Sequence, residues 1–174
     1  MSLVKSIKRK TKYSKDYIVK EMSIKGKKVI LFFNEVLTDS FHIDEFILKQ
    51  LILLDKKSLN KLENILPVSN IIKIKYDEIF DYVNKGFLVI CTKYVYAIEV
   101  KAKLDRGVST IESELSIAGS KDSFSENFNT NLGLIRRRIK STNLCVKNIE
   151  LGRRSKTKVG VLYIDDIASM KTVE

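Results

Sequence analysis

The sequence predicts an α/β fold of the α+β kind, with two small subdomains that each pack a mixed β-sheet of hairpins against helices. Runs of β-branched and aromatic residues alternate with helical apolar stripes along the 174 residues. A polar segment interrupts this alternation beyond residue 103. We therefore expect a first subdomain at 1–103, a linker at 104–122 and the start of a second, incomplete subdomain at 123–174.

The first subdomain begins with a predicted β-hairpin. Strands at 17–24 and 28–34 flank the turn Lys25-Gly26-Lys27, which suits a tight reversal. A helix should follow at 42–54, capped by Asp39 or Ser40. Its apolar residues, at helical spacing, are Ile43, Phe46, Ile47, Leu51 and Leu54.

The remainder of the first subdomain alternates short helices and strands. We expect a short helix or turn at 58–65 and a brief strand at 71–75. A helix over 76–85 should carry Asp77 and Glu78 in its first turn and end at Gly86. Uninterrupted apolar residues at 87–92 predict a fully buried strand, and 94–101 its hairpin partner.

The second subdomain should begin with a helix from Ser123 to Lys140. Ser123 and Glu126 have the spacing of a capping box. Strands are expected at 144–151 and 158–164, around a polar turn. Residues 159–167 weakly repeat 29–37, and a helix follows the first copy. We therefore expect a second helix near Glu174 and a native chain that continues beyond it.

The net charge of +11 is concentrated in two segments. Residues 1–28 hold ten Lys or Arg against two acidic residues, and 136–158 hold nine against one. Such clusters suit an anionic surface, either lipid headgroups or nucleic acid, although they are also common on solvated surfaces. The first dozen residues are the one segment whose composition allows disorder.

Several functional classes have no support in the sequence. No apolar run reaches the roughly 20 residues that span a bilayer, and no signal peptide is evident, so a cytoplasmic location is expected. Cys91 and Cys145 should be buried free thiols. His42 is the only histidine, and the adjacent Asp165 and Asp166 should point to opposite faces of a strand. We expect no enzyme activity, no metal site and no cofactor.

One segment, 117–139, matches a family pattern that contains a glycine, acidic residues, Thr-Asn and three arginines. The matching residues are Gly119, Asp122, Phe124, Glu126, Thr130, Asn131, Leu134, Arg136, Arg137 and Arg138. This pattern resembles the A subunits of GerA-type spore germinant receptors. The resemblance extends over most of the chain and is weakest in residues 1–30 and at Ser120, where the family often has proline.

The resemblance implies the non-enzymatic N-terminal domain of a membrane-bound nutrient receptor that senses germinants, couples signals or assembles the receptor. It implies receptor B and C subunits as partners and a small nutrient germinant. The two basic segments add an anionic membrane surface as an expected partner, and self-association into a homo-oligomer is an open alternative. It implies an inner spore membrane location, tethered by transmembrane helices outside these residues, and the lack of a signal peptide together with the positive charge predicts the cytoplasmic, core-facing side. The alternative is a basic nucleic-acid-binding module, which is disfavoured because the basic segments contain almost no aromatic residues.

The candidate binding or interface residues are Arg136, Arg137, Arg138, Asn131, Thr130, Glu126, Asp122 and Gly119. Successive helical residues lie about 100° apart, so at least two of the arginines must reach solvent or partners. They could bind lipid headgroups or an acidic partner, or join the subdomains through an internal network with Glu112, Glu114 or Asp122. Thr130 and Asn131, expected mid-helix, could bind a ligand or hydrogen-bond to the linker.

Overall fold

The computed structural model describes residues 3–104 and 124–173, which form two antiparallel sheets and six α-helices. The strands are β1 (Tyr17–Ile24), β2 (Lys27–Asn34), β3 (Ile71–Ile74), β4 (Phe87–Cys91), β5 (Val95–Glu99), β6 (Leu144–Leu151) and β7 (Thr157–Ile164). The helices are α1 (Leu3–Lys10), α2 (Ser40–His42), α3 (Lys49–Leu53), α4 (Ile79–Val83), α5 (Phe128–Arg138) and α6 (Met170–Val173). The α+β class predicted from the sequence is confirmed.

The larger sheet has the strand order β1-β2-β4-β5-β3. Its β1–β2 hairpin pairs Tyr17 with Asn34 and Ile24 with Lys27, and turns where Lys25 and Gly26 have φ of 49° and 77°. Glycine adopts a positive φ without the steric cost that a Cβ brings, so the predicted turn residues fit this reversal. The predicted hairpin of β4 and β5 is also present, and every residue of β4 is buried.

A helical segment covers one face of this sheet. It runs through α2, a π-helical stretch at Ile43–Leu48, and α3, and Asp39 caps it by accepting the His42 amide at 3.0 Å. Its buried side chains, Ile43, Ile47 and Leu51, agree with the predicted stripe. Phe46, which we placed on that stripe, is largely exposed. The expected turns after this helix are two short 3₁₀ helices.

Helices α1 and α4 cover the opposite face. Val4 and Ile7 of α1 are buried beside Phe32 and Val89, so residues 3–10 form a packed helix where the composition allowed disorder. Two apolar residues one turn apart fix the helix while its lysines stay outside. Helix α4 begins at Ile79, so Asp77 and Glu78 precede it.

Helix α5 begins later than predicted. Asn127 is its N-cap, with Oδ1 accepting the Thr130 amide at 3.0 Å, whereas Phe124 to Asn127 are not helical. The predicted capping box was therefore wrong, because Asn127 caps as well as Ser and lies closer to the first buried turn. Ser123 lies outside the described residues.

The smaller sheet is the predicted β6–β7 hairpin, which pairs Leu144 with Ile164 and Leu151 with Thr157. A parallel bridge between Ser14 and Val146 connects it to the segment before β1. Helix α6 follows β7 as α2 follows β2, so the weak sequence repeat corresponds to a repeated strand-strand-helix order. Cys91 and Cys145 are buried free thiols, as predicted. None of the helices in the described ranges is long and apolar enough to cross a membrane.

Candidate functional site

The centre of the candidate site is a buried ion pair between Arg136 of α5 and Asp16, just before β1. Arg136 is 1% exposed and Asp16 is 4% exposed. The Arg136 Nε donates to Asp16 Oδ2 at 2.8 Å, and Nη2 donates to Oδ1 at 2.9 Å. This is the bidentate fork geometry that makes Arg–carboxylate pairs strong and directional. The pair connects residues that are 120 positions apart in the sequence.

Neighbouring polar side chains complete the environment of this pair. Asn34 Nδ2 donates to Asp16 Oδ2 at 2.8 Å, and its Oδ1 accepts the Val36 amide at 3.2 Å. Arg136 also donates from Nη1 to the Ser141 carbonyl at 3.3 Å. Buried charges are tolerated when their hydrogen-bonding capacity is used, which is the arrangement here.

Tyr17 extends the network towards α4. Its hydroxyl donates to Asn84 Oδ1 at 2.6 Å and accepts a 3.4 Å hydrogen bond from Arg136 Nη1. The Arg136 guanidinium also lies 4.9 Å from the Tyr17 ring centroid. Burial raises the pKa of Tyr17 to about 12, although the positive charge of Arg136 acts in the opposite direction. Tyr17 is thus a neutral hydrogen-bond donor at physiological pH. We call Asp16, Tyr17, Asn34, Asn84 and Arg136 the Arg136 network.

The arrangement fixes the position of α5. Helix α5 also contacts the turn that follows β2 through Gly133, where a Cβ would lie 2.9 Å from the Val36 carbonyl oxygen. A small apolar cluster of Val36, Leu37, Leu132 and Val146 surrounds this contact. Separating the partners of a buried ion pair leaves each charge uncompensated, which costs free energy. Displacement of α5 would separate Arg136 from Asp16, so the network makes the position of the helix specific.

The three consecutive arginines occupy different environments. Of the two predicted roles, Arg136 has the internal one. It forms an Arg–carboxylate network with Asp16 as its partner. Arg137 is exposed, and its Nη2 donates to the Ala102 carbonyl at 2.6 Å. Arg138 is exposed. The carboxylates that we proposed as partners, Glu112, Glu114 and Asp122, lie outside the described residues.

Asn131 and Thr130 lie in the first turn of α5 rather than mid-helix. Asn131 Nδ2 donates to the Ser125 carbonyl at 2.7 Å, and Oδ1 accepts the Ser125 amide at 2.7 Å. Asn131 therefore holds the segment that leads into the helix, and that segment is not the predicted linker. Thr130 contributes its amide to the Asn127 cap. Glu126 is exposed just before the helix, and Gly119 lies outside the described residues.

Sequence reasoning missed Asp16, Tyr17, Asn34 and Asn84. The choice of Arg136 among the arginines had a local signal, because it follows Leu132 by four positions and shares its buried face. Its partner had no comparable signal, since Asp16 is far away in the sequence.

The described residues show no metal-binding arrangement. In residues 3–104 and 124–173, no group of three His, Cys, Asp or Glu side chains is placed to hold a metal ion. His42 packs against Phe46 with ring centroids 4.9 Å apart, and Asp165 and Asp166 are exposed.

Comparison with protein families identifies the chain. Residues 5–174 match the model of the Bacillus/Clostridium GerA spore germination proteins. The chain belongs to this GerA family. The family assignment confirms the resemblance inferred from the pattern at 117–139.

Curated GerA-type relatives match different parts of the chain. Stage V sporulation protein AF of Bacillus subtilis is 29% identical over 92% of this chain and 34% of its own length. Spore germination protein GerQA of Bacillus cereus is 27% identical over 94% of this chain and 34% of its own length. Spore germination protein XA of Bacillus anthracis is 39% identical over 49% of this chain and 18% of its own length. The chain thus spans about a third of the first two relatives.

A solved structure has the same fold. The N-terminal domain of the A subunit of the Bacillus megaterium spore germinant receptor GerK3 aligns with a TM-score of 0.73 and 23% identity. The alignment covers 98% of this chain and 66% of that domain. The GerA fold described here is therefore that of a receptor A-subunit N-terminal domain.

Proposed function

We propose that this chain is the non-enzymatic N-terminal domain of a membrane-bound germinant receptor A subunit, and that it couples nutrient detection to the rest of the receptor. The observation that carries the coupling role is the buried Arg136–Asp16 pair, which joins α5 to the larger sheet with bidentate geometry. The GerA family match and the fold shared with the GerK3 domain support the receptor assignment.

We propose that the segment 104–122 separates two subdomains. The larger sheet belongs to the first, and α5 with the β6–β7 hairpin belongs to the second. Coupling then requires a joint whose geometry is fixed, because a joint held only by apolar contacts accepts more than one packing arrangement. The Arg136 network satisfies this requirement, since its hydrogen bonds form only at one relative placement of α5.

We also propose the partners, the membrane and the signal that the family resemblance implies. Receptor B and C subunits are the proposed partners, in the inner spore membrane, with a small nutrient as the signal. The concentrated positive charge suits a domain beside an anionic lipid surface on the cytoplasmic side.

The coupling role can be tested in spores that carry the full-length A-subunit gene. Arg136→Lys keeps the positive charge but removes the bidentate fork, so we expect slower nutrient-triggered germination at an unchanged receptor level. Arg154→Ala is the control, because it removes an exposed arginine in the β6–β7 turn. Loss of refractility measures germination, and immunoblotting of spore membranes measures the receptor level.

The outcomes separate coupling from assembly. Normal germination of Arg136→Lys spores at a normal receptor level would contradict coupling through this network. A receptor that disappears from the membranes would instead indicate that the network serves assembly. Germination by a non-nutrient route should be unaffected, which shows that the spores themselves are intact.

A further inference from the structure

A basic cleft lies beside the Arg136 network, between α4, the start of β4 and the C-terminal end of α5. Its volume is about 590 Å³, within the size range of small-molecule sites. Four cationic side chains line it: Lys85, Lys101, Arg137 and Lys140. Among the described residues, its lining includes no Asp or Glu.

Among the described residues, most of this positive charge has no acidic partner. Lys101 Nζ pairs with Glu99 Oε1 at 2.6 Å, outside the lining. Within the described ranges, no ion pair neutralises Lys85, Arg137 or Lys140. Arg137 uses Nη2 for the Ala102 carbonyl, which fixes the guanidinium at the cleft, and its other N–H groups have no partner within residues 3–104 and 124–173. The cleft therefore concentrates positive potential on a small concave surface.

The helix dipole accounts for only two of these four cationic side chains. Cations near the last turn of a helix are favoured by its terminal carbonyl groups, which explains Arg137 and Lys140. Lys85 follows α4 and Lys101 follows β5, so they converge on the cleft from other parts of the chain. Gly86, with φ of 85°, allows the backbone to pass close to Leu37, because a Cβ there would lie 2.9 Å from the Leu37 carbonyl oxygen.

Aromatic rings give the cleft apolar walls. Tyr82 and Phe87 meet edge to face with centroids 5.2 Å apart. Lys85 Nζ lies 5.4 Å from the Tyr82 ring centroid, and Lys101 Nζ lies 5.4 Å from that of Phe87. These cation–π contacts hold the ammonium groups near the walls without neutralising them.

We infer that this cleft binds a small phosphate-bearing anion, whose phosphate group meets Arg137 and the lysines while its remainder contacts the aromatic walls. A phosphate group matches several uncompensated cations better than a single carboxylate does, and the arginine fork can bind two of its oxygens. The phosphate could belong to a soluble metabolite or to a lipid headgroup. This inference goes beyond the receptor role and depends on the cleft alone.

The test uses pyrophosphate and this 174-residue chain. Isothermal titration calorimetry at low ionic strength should show saturable binding, and Arg137→Ala with Lys140→Ala should weaken it by about tenfold or more. The matched control is Arg153→Ala with Arg154→Ala, which removes the same charge from the exposed β6–β7 turn. This control should keep the wild-type affinity.

Three results would overturn the inference. They are no saturable binding by the wild type, equal weakening in the cleft and control variants, or unchanged affinity of the cleft variant. Circular dichroism checks folding, and Lys85→Ala replaces the double variant if that variant unfolds. If Lys85→Ala also fails to weaken binding, the cleft is not the site.

A parallel measurement distinguishes the two phosphate sources. When pyrophosphate also binds, binding to phosphatidylglycerol vesicles that the cleft substitutions abolish, with no binding to phosphatidylcholine vesicles, assigns the cleft to a lipid headgroup. Pyrophosphate binding without cleft-dependent vesicle binding assigns it to a soluble phosphate compound. Both results support a phosphate site, and neither depends on germination, so the receptor proposal can fail separately.

Discussion

The larger sheet and the β6–β7 hairpin are held in place by different kinds of interaction. Both faces of the larger sheet are covered, by apolar clusters with fourteen and twelve buried residues among those described. The described cluster that contacts the hairpin has four. Burial of apolar area is the main stabilising term in folding, so the sheet needs no specific polar contact to persist.

The positions of the hairpin and α5 depend instead on a few contacts that require a specific geometry. A bidentate ion pair, the Tyr17 hydroxyl and one close backbone approach hold α5 in place, and the Ser14–Val146 bridge attaches the hairpin. Such contacts tolerate displacement poorly, whereas apolar packing tolerates substitution when volume is kept. The larger sheet thus supplies most of the stability, and the Arg136 network supplies a defined position for α5.

The largest expected effect comes from Arg136→Ala. This substitution leaves Asp16 buried without its partner, so we expect a loss of about 3–5 kcal/mol in the free energy of unfolding. Urea denaturation measures the total, and native hydrogen exchange should show that β6 and β7 lose protection before β4 and β5.

Two controls accompany Arg136→Ala. Arg154→Ala should change stability by no more than about 0.5 kcal/mol because it lies in an exposed turn. Replacing both partners, by Arg136→Met with Asp16→Leu, should cost less than the single substitution because no buried charge remains. A single substitution that costs under about 1 kcal/mol would contradict the importance of the ion pair.

Alkaline pH should weaken the joint through Tyr17. Its pKa is about 12 in the folded protein against 10.0 for the ordinary phenol, so the folded state keeps a proton that the unfolded chain releases. This contribution is complete below pH 10 and is lost as the pH rises to about 12. A shift of this size corresponds to about 3 kcal/mol.

The comparison variant is Tyr17→Phe, which has no phenol to titrate. It should be less stable at neutral pH by about 1–2 kcal/mol, because Asn84 loses its donor. Its stability should then fall less steeply than that of the wild type above pH 10. Cys91, whose pKa burial raises to about 12, titrates in both proteins and cancels in the difference. Identical alkaline slopes, from urea unfolding at several pH values, would contradict this assignment.

Gly133→Ala tests the close approach of α5 to the turn that follows β2. An added Cβ would lie 2.8 Å from Leu104 Cδ1 and 2.9 Å from the Val36 carbonyl oxygen. The leucine can move, but the backbone oxygen cannot without shifting the strand end, so we expect a net loss of about 1–3 kcal/mol. Asn129→Ala, on the exposed side of the same helix, should be neutral or stabilising. Thermal unfolding of the two variants measures the difference, and equal melting temperatures would rule out a tight contact.

The smallest effect concerns the start of α5. Asn127→Ala removes the cap on the Thr130 amide and should cost about 1 kcal/mol. Glu126→Ala, an exposed neighbour, should have little effect. Chemical denaturation measures the free energy of unfolding of both variants. A larger loss for Ser123→Ala than for Asn127→Ala would indicate that the helix begins at the capping box predicted from the sequence.

The strands were predictable because their signals are local. Continuous apolar residues predict a fully buried β4, and Gly26 predicts the β1–β2 turn, as the structure shows. The α2–α3 segment followed from apolar spacing alone, apart from the exposure of Phe46. Each of these features depends on residues within a few positions of one another.

The candidate site was only partly predictable. The pattern at 117–139 singled out the arginines, but the identity of Asp16 as partner depends on tertiary contacts between distant segments. Helix α1 was missed because two apolar residues amid lysines resemble a solvated tail until a face of the sheet is available to bury them. The helix start was wrong because two cap-forming residues compete within one turn.

The sequence separation of 120 between Asp16 and Arg136 has a consequence for biosynthesis. A ribosome makes β1 to β5 before it makes Arg136, and domains generally fold from the N-terminal side during synthesis. A sheet that forms in this order keeps the Asp16 carboxylate hydrated until α5 packs against it. Closing so long a loop is entropically costly and slow. The Arg136–Asp16 ion pair therefore forms late. Translation errors or pauses between these residues would leave a folded sheet against which α5 is not yet fixed.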